Sequence, residues 1–459
     1  MPAVLCVDVG STFTKAVLVD PDSGAVLAVA ARPTTAPEAL EAIAAVRADT
    51  AAAAKTVLPE EILVSSSAGG GLRLAVVGYE HLVTAEAGRR VALSAGGRVV
   101  HLSSGPLDRD GIEAIRAARA DLIILTGGTD GGNGDVVVHN ARRIAIARLP
   151  VPVVLAANVD ATPAAAAELR QRGRAVTVTA NVLPRIGVLD PLPARQAIRE
   201  AFLEHVIGGK GLSRGHSRLA GRTFAELVRA PTPDAVLTGA GLLGPQDDVL
   251  IVDVGGATTD VYSVLAPQRA NARREAAGRG AAPVVESLRQ ARTVEGDLGV
   301  RWGAPGVVDA ARAEGLLDDV RASVLRAYAD RVAADPGYLP DPDRRADDQI
   351  LAELAILIAV RRHGRPPRPG AGARELREVD LVIGSGGVLR HAPNRVREQI
   401  LGPLLTDHGG GWAVPDRARL AVDVGCTLFA AGLLASIAPL PAARLACSGL
   451  TFFGGRSAG

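Results

Sequence analysis

Two short apolar runs each end in an aspartate followed by a glycine turn, and this repeated pattern constrains the fold more than any other feature of the chain. The first is Val7-Asp8-Val9-Gly10-Ser11-Thr12-Phe13-Thr14-Lys15 and the second is Val252-Asp253-Val254-Gly255-Gly256-Ala257-Thr258-Thr259-Asp260. Ala3 to Val7 and Val249 to Val252 read as β-strands, each delivering a carboxylate at its end. The glycines let the backbone bend and bring its N–H groups close to an anion. Asp8 and Asp253 suit a hydrated Mg2+, which keeps several waters and needs only one or two carboxylates. Gly10, Ser11 and Thr12, with Lys15 as a nearby point charge, suit a β-phosphate, while Gly255, Gly256 and Thr258 suit a γ-phosphate. Either turn alone is also an ordinary strand-to-hairpin turn of an α/β protein. Aligned on their glycines, however, Asp8 falls on Asp253, Gly10 on Gly255 and Thr14 on Thr259, the pattern of a duplicated domain. The expectation is a nucleotide held between two halves.

A chain of 459 residues is long enough for two or more domains with ample core. Aromatic residues make up only 3% of it, so that core is built mainly from Leu, Val, Ile and Ala. A net charge of +2, with no run of Lys/Arg interleaved with aromatics, argues against a nucleic-acid partner. Basic residues are almost all arginine; the lysines are Lys15, Lys55 and Lys210, which makes a lysine inside a phosphate-type turn notable. Cys6, Cys426 and Cys447 are too few and too scattered for a disulfide framework or a zinc site, and Cys6 reads as a small buried hydrophobe. No basic segment precedes an apolar signal stretch at the start, so a cytoplasmic location is expected. Val424 to Ala443 lacks acidic and basic residues but contains Gly425, Gly432, Pro439 and Pro441, and reads as a buried helix rather than a membrane span.

Along the chain, strands and helices alternate in α/β order. Strands are expected at Ile62 to Ser65, Arg73 to Val77, Leu122 to Leu125, Val151 to Ala157 and Ala175 to Thr179, with helices from Pro37, Leu82, Gly111 and Pro163. Residues 1–240 are expected to form one domain and 241–459 a second, with an insertion near 268–300 and an exposed, flexible loop at 361–374, where Arg, Pro and Gly dominate.

Two further glycine turns lie in the last hundred residues. Leu381 to Leu389 is a strand entering Gly384-Ser385-Gly386-Gly387, where absent side chains let an adenine or ribose lie against the backbone. Leu420 to Thr427 repeats Asp-Val-Gly before an apolar helix, although close packing of a helix on its strand calls for small residues in any case. In order and spacing these motifs resemble the actin, sugar-kinase and seventy-kilodalton heat-shock ATPase superfamily. Asp8 to Lys15 is similar to its first phosphate motif, Asp253 to Asp260 to its second, Gly384 to Gly387 to its adenosine motif and Asp423 to Gly425 to its connecting motif. Ala257 departs from the third glycine usual in the chaperones. Within the superfamily the chain resembles the accessory proteins of glutamate mutase operons, the MutL or GlmL type, which are unrelated to the mismatch-repair protein of similar name. Ser65 to Leu72, Leu125 to Asn133, Asn181 to Pro184 and Arg292-Thr293-Val294-Glu295-Gly296-Asp297-Leu298-Gly299 carry that resemblance, and the last is the most distinctive.

The resemblance implies duplicated actin-like (ribonuclease H-like) α/β domains with a nucleotide cleft between them, ATP and Mg2+ as cofactors, and the subunits of an adenosylcobalamin-dependent carbon-skeleton mutase as partners. ATP turnover would drive a motion that frees damaged cobalamin from the mutase. The cobalamin-ligating signature Asp-x-His-x-x-Gly is absent. Catalysis in such a superfamily needs a carboxylate that orients water or a hydroxyl; Asp130 and Asp260 are the candidates, with a plain turn as the other reading of the Asp130 loop. Arg292, Glu295 and Asp297 are either a charged cap on a helix start or a site specific to the mutase partner or to interdomain closure. A small-molecule kinase using Asp130 as general base and an actin-like scaffold or filament protein stay open. An iron–sulfur activator is disfavoured, because the three cysteines form no evident cluster-binding pair.

Overall fold

The computed structural model describes residues 2–10, 13–35, 38–67, 72–81, 83–207, 217–244, 247–265, 290–338, 345–365, 374 and 376–454. Among these the chain divides into two compact units. One comprises the residues up to Leu242 with Leu428–Ala446; the other runs from Leu243 to Thr427 and resumes at Cys447.

The first apolar run becomes β1 (Val4–Val9), in which every residue is buried. Its neighbours account for that. The strand β2 (Phe13–Val19) folds back antiparallel along one side, placing Asp8 directly opposite Lys15, and β3 (Val26–Pro33) pairs beyond it as an exposed edge. On the other side β4 (Glu61–Ser66) runs parallel to β1. A strand enclosed on both faces cannot alternate apolar with polar residues, which is why Val4 to Val7 reads as a continuous hydrophobic run. Cys6 is buried there, and burial pushes its thiol up to about 12, so it packs as an inert hydrophobe.

The chain then leaves this sheet and builds another. β5 (Arg73–Gly78), β6 (Arg98–Ser104), β7 (Leu122–Leu125), β8 (Val153–Leu155) and β9 (Val176–Val178) form an all-parallel sheet in the order β6-β5-β7-β8-β9. Residues 73–178, which the sequence presents as more of the same alternation, are thus a doubly wound layer of their own. Because side chains alternate across a strand, this sheet serves two cores. Leu74, Val76, Leu122, Ile124 and Val154 face the core shared with β1 and β4, whereas Ala75, Val77, Ile123, Leu125, Val153 and Leu155 face a separate one under the helices Asp135–Ile146 and Thr162–Arg170. The chain finally returns to the first sheet as β10 (Val228–Pro231), parallel to β4, completing the order β10-β4-β1-β2-β3.

In the second unit β11 (Val249–Val254), β12 (Thr259–Val264) and β13 (Gln290–Glu295) form an antiparallel meander. They are followed by β14 (Leu381–Ser385) and β15 (Arg419–Asp423), both parallel to β11, and by an antiparallel edge, β16 (Leu450–Phe453), giving β13-β12-β11-β14-β15-β16. Counted from its first strand, each unit therefore carries five strands in the order third, second, first, fourth, fifth, with only the second antiparallel to its neighbours on both sides, and the second unit adds the sixth, β16, at the edge. The expected α/β fold in two related halves is the one observed. The long helix Arg345–Gly364 backs the second sheet and is buried over most of its length.

Two expected irregular segments take a different form. Of the insertion near 268–300, residues 268–289 lie outside the described residues, while Gln290–Glu295 is β13. Of the loop at 361–374, Arg361 to Gly364 are the last turn of the long helix. Arg361 is held there by Asp407 and Glu314, so its charge marks a buried ion pair rather than solvent; residues 366–373 lie outside the described residues. The apolar stretch from Val424 contains two helices, Thr427–Leu434 and Pro439–Ser448, and no described helix is long and apolar enough to cross a membrane.

Candidate functional site

In open α/β sheets, ligands bind beyond the carboxyl ends of the parallel strands. In the second unit that edge, at the ends of β11, β14 and β15, gathers three of the sequence motifs. Asp253, the penultimate residue of β11, lies beside Ser385 of β14; Gly384 lies beside Val422, next to Asp423. Gly386 has a φ of +108° and sits so close to β11 that a Cβ would stand 2.2 Å from the Val254 carbonyl oxygen, whereas Gly387 is open. The glycine cluster thus rests against the turn that follows Asp253. Asp423 is turned inward, accepting bonds from the N–H and hydroxyl of Thr427 and so capping the next helix.

Across the β11–β12 hairpin, Asp253 faces Asp260. Arg292 of β13 donates to the Asp260 carboxylate at 2.6 and 2.9 Å. Burial pushes the Asp260 carboxyl above its ordinary value, Arg292 opposes the rise and Asp253 adds to it. The Arg292–Asp260 pair is thus what keeps two facing carboxylates compatible.

The turn itself has a defined polarity. The carbonyls of Gly255 and Gly256 accept the N–H groups of Val300 (3.0 Å) and Arg301 (2.8 Å). A trans peptide points its C=O and the following N–H in opposite directions. The N–H groups of Gly256 and Ala257 therefore point away from residues 300–301, and no acceptor among the described residues takes either one. Two successive outward N–H groups beside a carboxylate make a cradle for an anion and its counter-cation. Among the described residues no three or more His, Cys, Asp or Glu side chains converge on a metal-sized site. A cation held by one carboxylate, phosphate oxygens and water suits this donor set.

The first unit repeats the scheme with different partners. Asp8 is buried at the end of β1; its Oδ1 accepts the Thr232 hydroxyl, from the start of the helix Thr232–Ala240, and the Ser65 hydroxyl of β4 at 3.3 Å. Opposite it stands Lys15 where the second hairpin has Asp260. Gly10 closes its turn with an N–H to Phe13, as Gly255 does to Thr258; Ser11 and Thr12 lie outside the described residues. Thr232 was not legible as a site residue, since Pro231-Thr232-Pro233 reads only as a helix start. Ser65 lay in a motif whose chemistry the spacing does not reveal.

Asp130 stands elsewhere, in the loop after β7 of the all-parallel sheet. It is exposed, and its Oδ1 accepts the Val159 N–H (3.0 Å) and the Asn181 amide (2.8 Å), tying together the segments that follow β7, β8 and β9. Its loop is organised further by Asp160 on the Gly131 N–H and by the Asn158 amide on the Gly132 carbonyl. A cavity of about 410 Å3 opens at the opposite, amino end of the same sheet, lined by Arg73, Arg116, Arg119, Asp121 and His205. Arg73 is already paired with Asp121, and none of the sequence motifs reaches it.

Comparison with known proteins adds a family. Structures of similar outline include acetone carboxylase in a nucleotide-free structure, at 16% identity over 95% of this chain and 70% of the other with a TM-score of 0.37. Another is the ethanolamine utilization protein EutJ from Carboxydothermus hydrogenoformans, at 10% identity over 97% of this chain and 90% of the other with a TM-score of 0.29. TM-scores of that size carry no weight for function. Sequence similarity is much stronger: Protein MutL of Clostridium tetanomorphum is 32% identical over 479 aligned residues, spanning 97% of this chain and 98% of the relative. With residues 4–450 also matching the family described as MutL protein, the chain belongs to the MutL protein family.

Proposed function

We propose that the chain binds Mg·ATP and acts as an ATP-driven accessory protein of an adenosylcobalamin-dependent carbon-skeleton mutase of the glutamate mutase type. The observation that carries the nucleotide reading is the matched pair of hairpins. Each follows the first strand of a sheet with the same strand order, and each presents a carboxylate and a glycine turn at the carboxyl end. Membership of the MutL family supports the mutase as partner.

The roles follow from residue chemistry. In the second unit Asp253 suits a metal, Gly256 and Ala257 offer N–H groups to a phosphate and Thr258 a hydroxyl; in the first unit Asp8 suits a metal, and Gly10 and Lys15 suit a phosphate. Ser385 to Gly387 take the nucleoside, with Gly387 as the open surface. Asp260, restrained by Arg292, and Asp130 are the candidates for orienting the attacking water. Bound Mg·ATP would supply a phosphoanhydride whose cleavage releases free energy; the chain's own groups position it and exclude misalignment.

Purified protein should hydrolyse ATP in a Mg2+-dependent manner, and ATP should restore activity to the inactivated mutase encoded with it. Asp253→Ala should lower turnover by about a thousandfold, the scale on which loss of a charge-stabilising group acts, while circular dichroism and melting stay those of the parent. Full hydrolysis by this variant would sink the site assignment. ATP turnover that depends on a small hydroxylated acceptor and leaves the mutase unaffected would favour a kinase.

A further inference from the structure

The most distinctive sequence motif, Arg292 to Gly299, is not explained by the phosphate contacts themselves, yet the structure runs it and the residues that follow along the back of the second turn. Leu298 to Gly303 lies against Gly255–Ala257 backbone to backbone. Besides the bonds from Val300 and Arg301, the Gly303 N–H reaches the Gly256 carbonyl at 3.4 Å. At Gly299 a Cβ would stand 2.3 Å from the Ala257 carbonyl carbon and 2.4 Å from the Gly256 oxygen, so no side chain fits between segment and turn. The segment is fastened from β12 by the buried Thr259 hydroxyl, which donates to the Leu298 carbonyl. At its other end Arg362 ties Glu295 and Asp297 to the long helix.

The first unit builds the same device from unrelated residues. Thr14, which aligns with Thr259, has its hydroxyl 3.0 Å from that of Thr34, and the Thr34 hydroxyl donates to the Gly10 carbonyl at 2.9 Å. In both units a buried threonine at the start of the return strand fastens a supporting segment, and that segment occupies the carbonyl of the first turn glycine. Residues as different as Thr34 and Leu298–Arg301 converge on one task, which a packing coincidence would not require.

We propose that these segments are braces: Thr259 with Leu298–Gly303 are positioning residues that hold the second turn's carbonyls backward so that the Gly256 and Ala257 N–H groups face an anion, and Thr14 with Thr34 hold the Gly10 carbonyl of the first turn in the same way. Peptide planarity makes the two inseparable: a released carbonyl lets the plane rotate and carries the next N–H out of line. The proposal rests on the ATP reading for its ligand, but the brace itself has a signature that does not.

The test uses the full chain with Thr259→Val, which keeps the volume and removes the hydroxyl, Thr259→Ser, which restores it, and Thr34→Val in the first unit. Equilibrium binding of Mg·ATP should weaken about tenfold in both valine variants, the scale of one lost hydrogen bond, and return in Thr259→Ser. Amide hydrogen exchange at Val300 and Arg301, measured without nucleotide, should accelerate by about the same factor in Thr259→Val only. The half-exposed indole of Trp302, whose ring lies 2.8 Å from where a Gly256 Cβ would be, supplies a fluorescence signal for the turn. Unchanged exchange and unchanged affinity in Thr259→Val would overturn the brace. A parent protein that binds no Mg·ATP would remove the nucleotide reading and leave exchange at Val300 and Arg301 to decide the brace alone.

Discussion

At the scale of single residues, most polar groups of the second unit that lie under cover are spoken for, and His363 shows what such a group costs. It is fully enclosed at the end of the long helix, with Nε2 2.9 Å from the Ser263 hydroxyl and Nδ1 2.9 Å from that of Thr293. Arg374 reaches the same Ser263 hydroxyl at 3.2 Å. Burial, and then the Arg374 charge, hold the imidazole well below its ordinary value of 6.5, so it is neutral in the folded chain. An unfolded chain protonates this residue below that value while the folded one does not. Stability from this group is therefore complete above pH 6.5 and is lost as pH falls, by at most about 1.4 kcal/mol per unit. Denaturant unfolding at a series of pH values should show that loss in the parent and a shallower dependence in His363→Gln, whose amide can serve both hydroxyls; identical slopes would refute the assignment. The thiol of Cys6 was readable as a packed hydrophobe from its place in an apolar run. The burial of His363 was not, because it depends on Ser263 and Thr293, two residues distant in sequence that β12 and β13 bring together.

At the scale of elements, backbone contact replaces side-chain packing at one crossing in the first unit. The helix Thr232–Ala240 and the residues following Leu428 approach so closely that a Cβ on Gly239 would stand 1.9 Å from the Leu428 carbonyl oxygen, and one on Gly432 the same distance from that of Ala235. Glycine inside a helix costs roughly 1 kcal/mol relative to alanine, so its presence on both partners is explained by the approach and not by propensity. Gly432→Ala should reverse the propensity argument and destabilise the protein by about 1–3 kcal/mol through overpacking, read as a lowered denaturant midpoint. Gly402→Ala, at a site with nothing near its Cβ position, should stay within about 0.5 kcal/mol of the parent. An unchanged midpoint in Gly432→Ala would mean that the two segments part easily. The sequence marked Val424 to Ala443 as a buried helical stretch, and its glycine was visible there as an argument against a membrane span. Its partner, nearly two hundred residues earlier, was not visible, since nothing local to either glycine encodes a crossing.

At the scale of the whole chain, the duplicated halves were legible because each leaves a local mark: a strand, a carboxylate and a glycine turn that realign residue for residue. The all-parallel sheet within the first unit left no such mark, since its strands have the same apolar, β-branched composition as those on either side and α/β alternation simply continues through it. What distinguishes it is which face each residue takes, and that also predicts how it behaves. Leu74, Val76, Leu122, Ile124 and Val154 close the core that contains Leu5, Val7, Ile62 and Val64. Buried apolar side chains contribute about 1.5–3 kcal/mol each, so these five account for roughly 8–15 kcal/mol, which is as large as the whole stability of an ordinary domain. The layer is therefore a wall of the first core and not an appendage that can be removed from it. A chain in which residues 73–178 are replaced by a short Gly/Ser linker should lose its cooperative melting transition for the first unit and expose apolar surface to a hydrophobic dye. Retention of a sharp transition would show that β1, β4 and β10 complete the first core without that wall, and that the side chains this layer turns toward it are incidental to its stability.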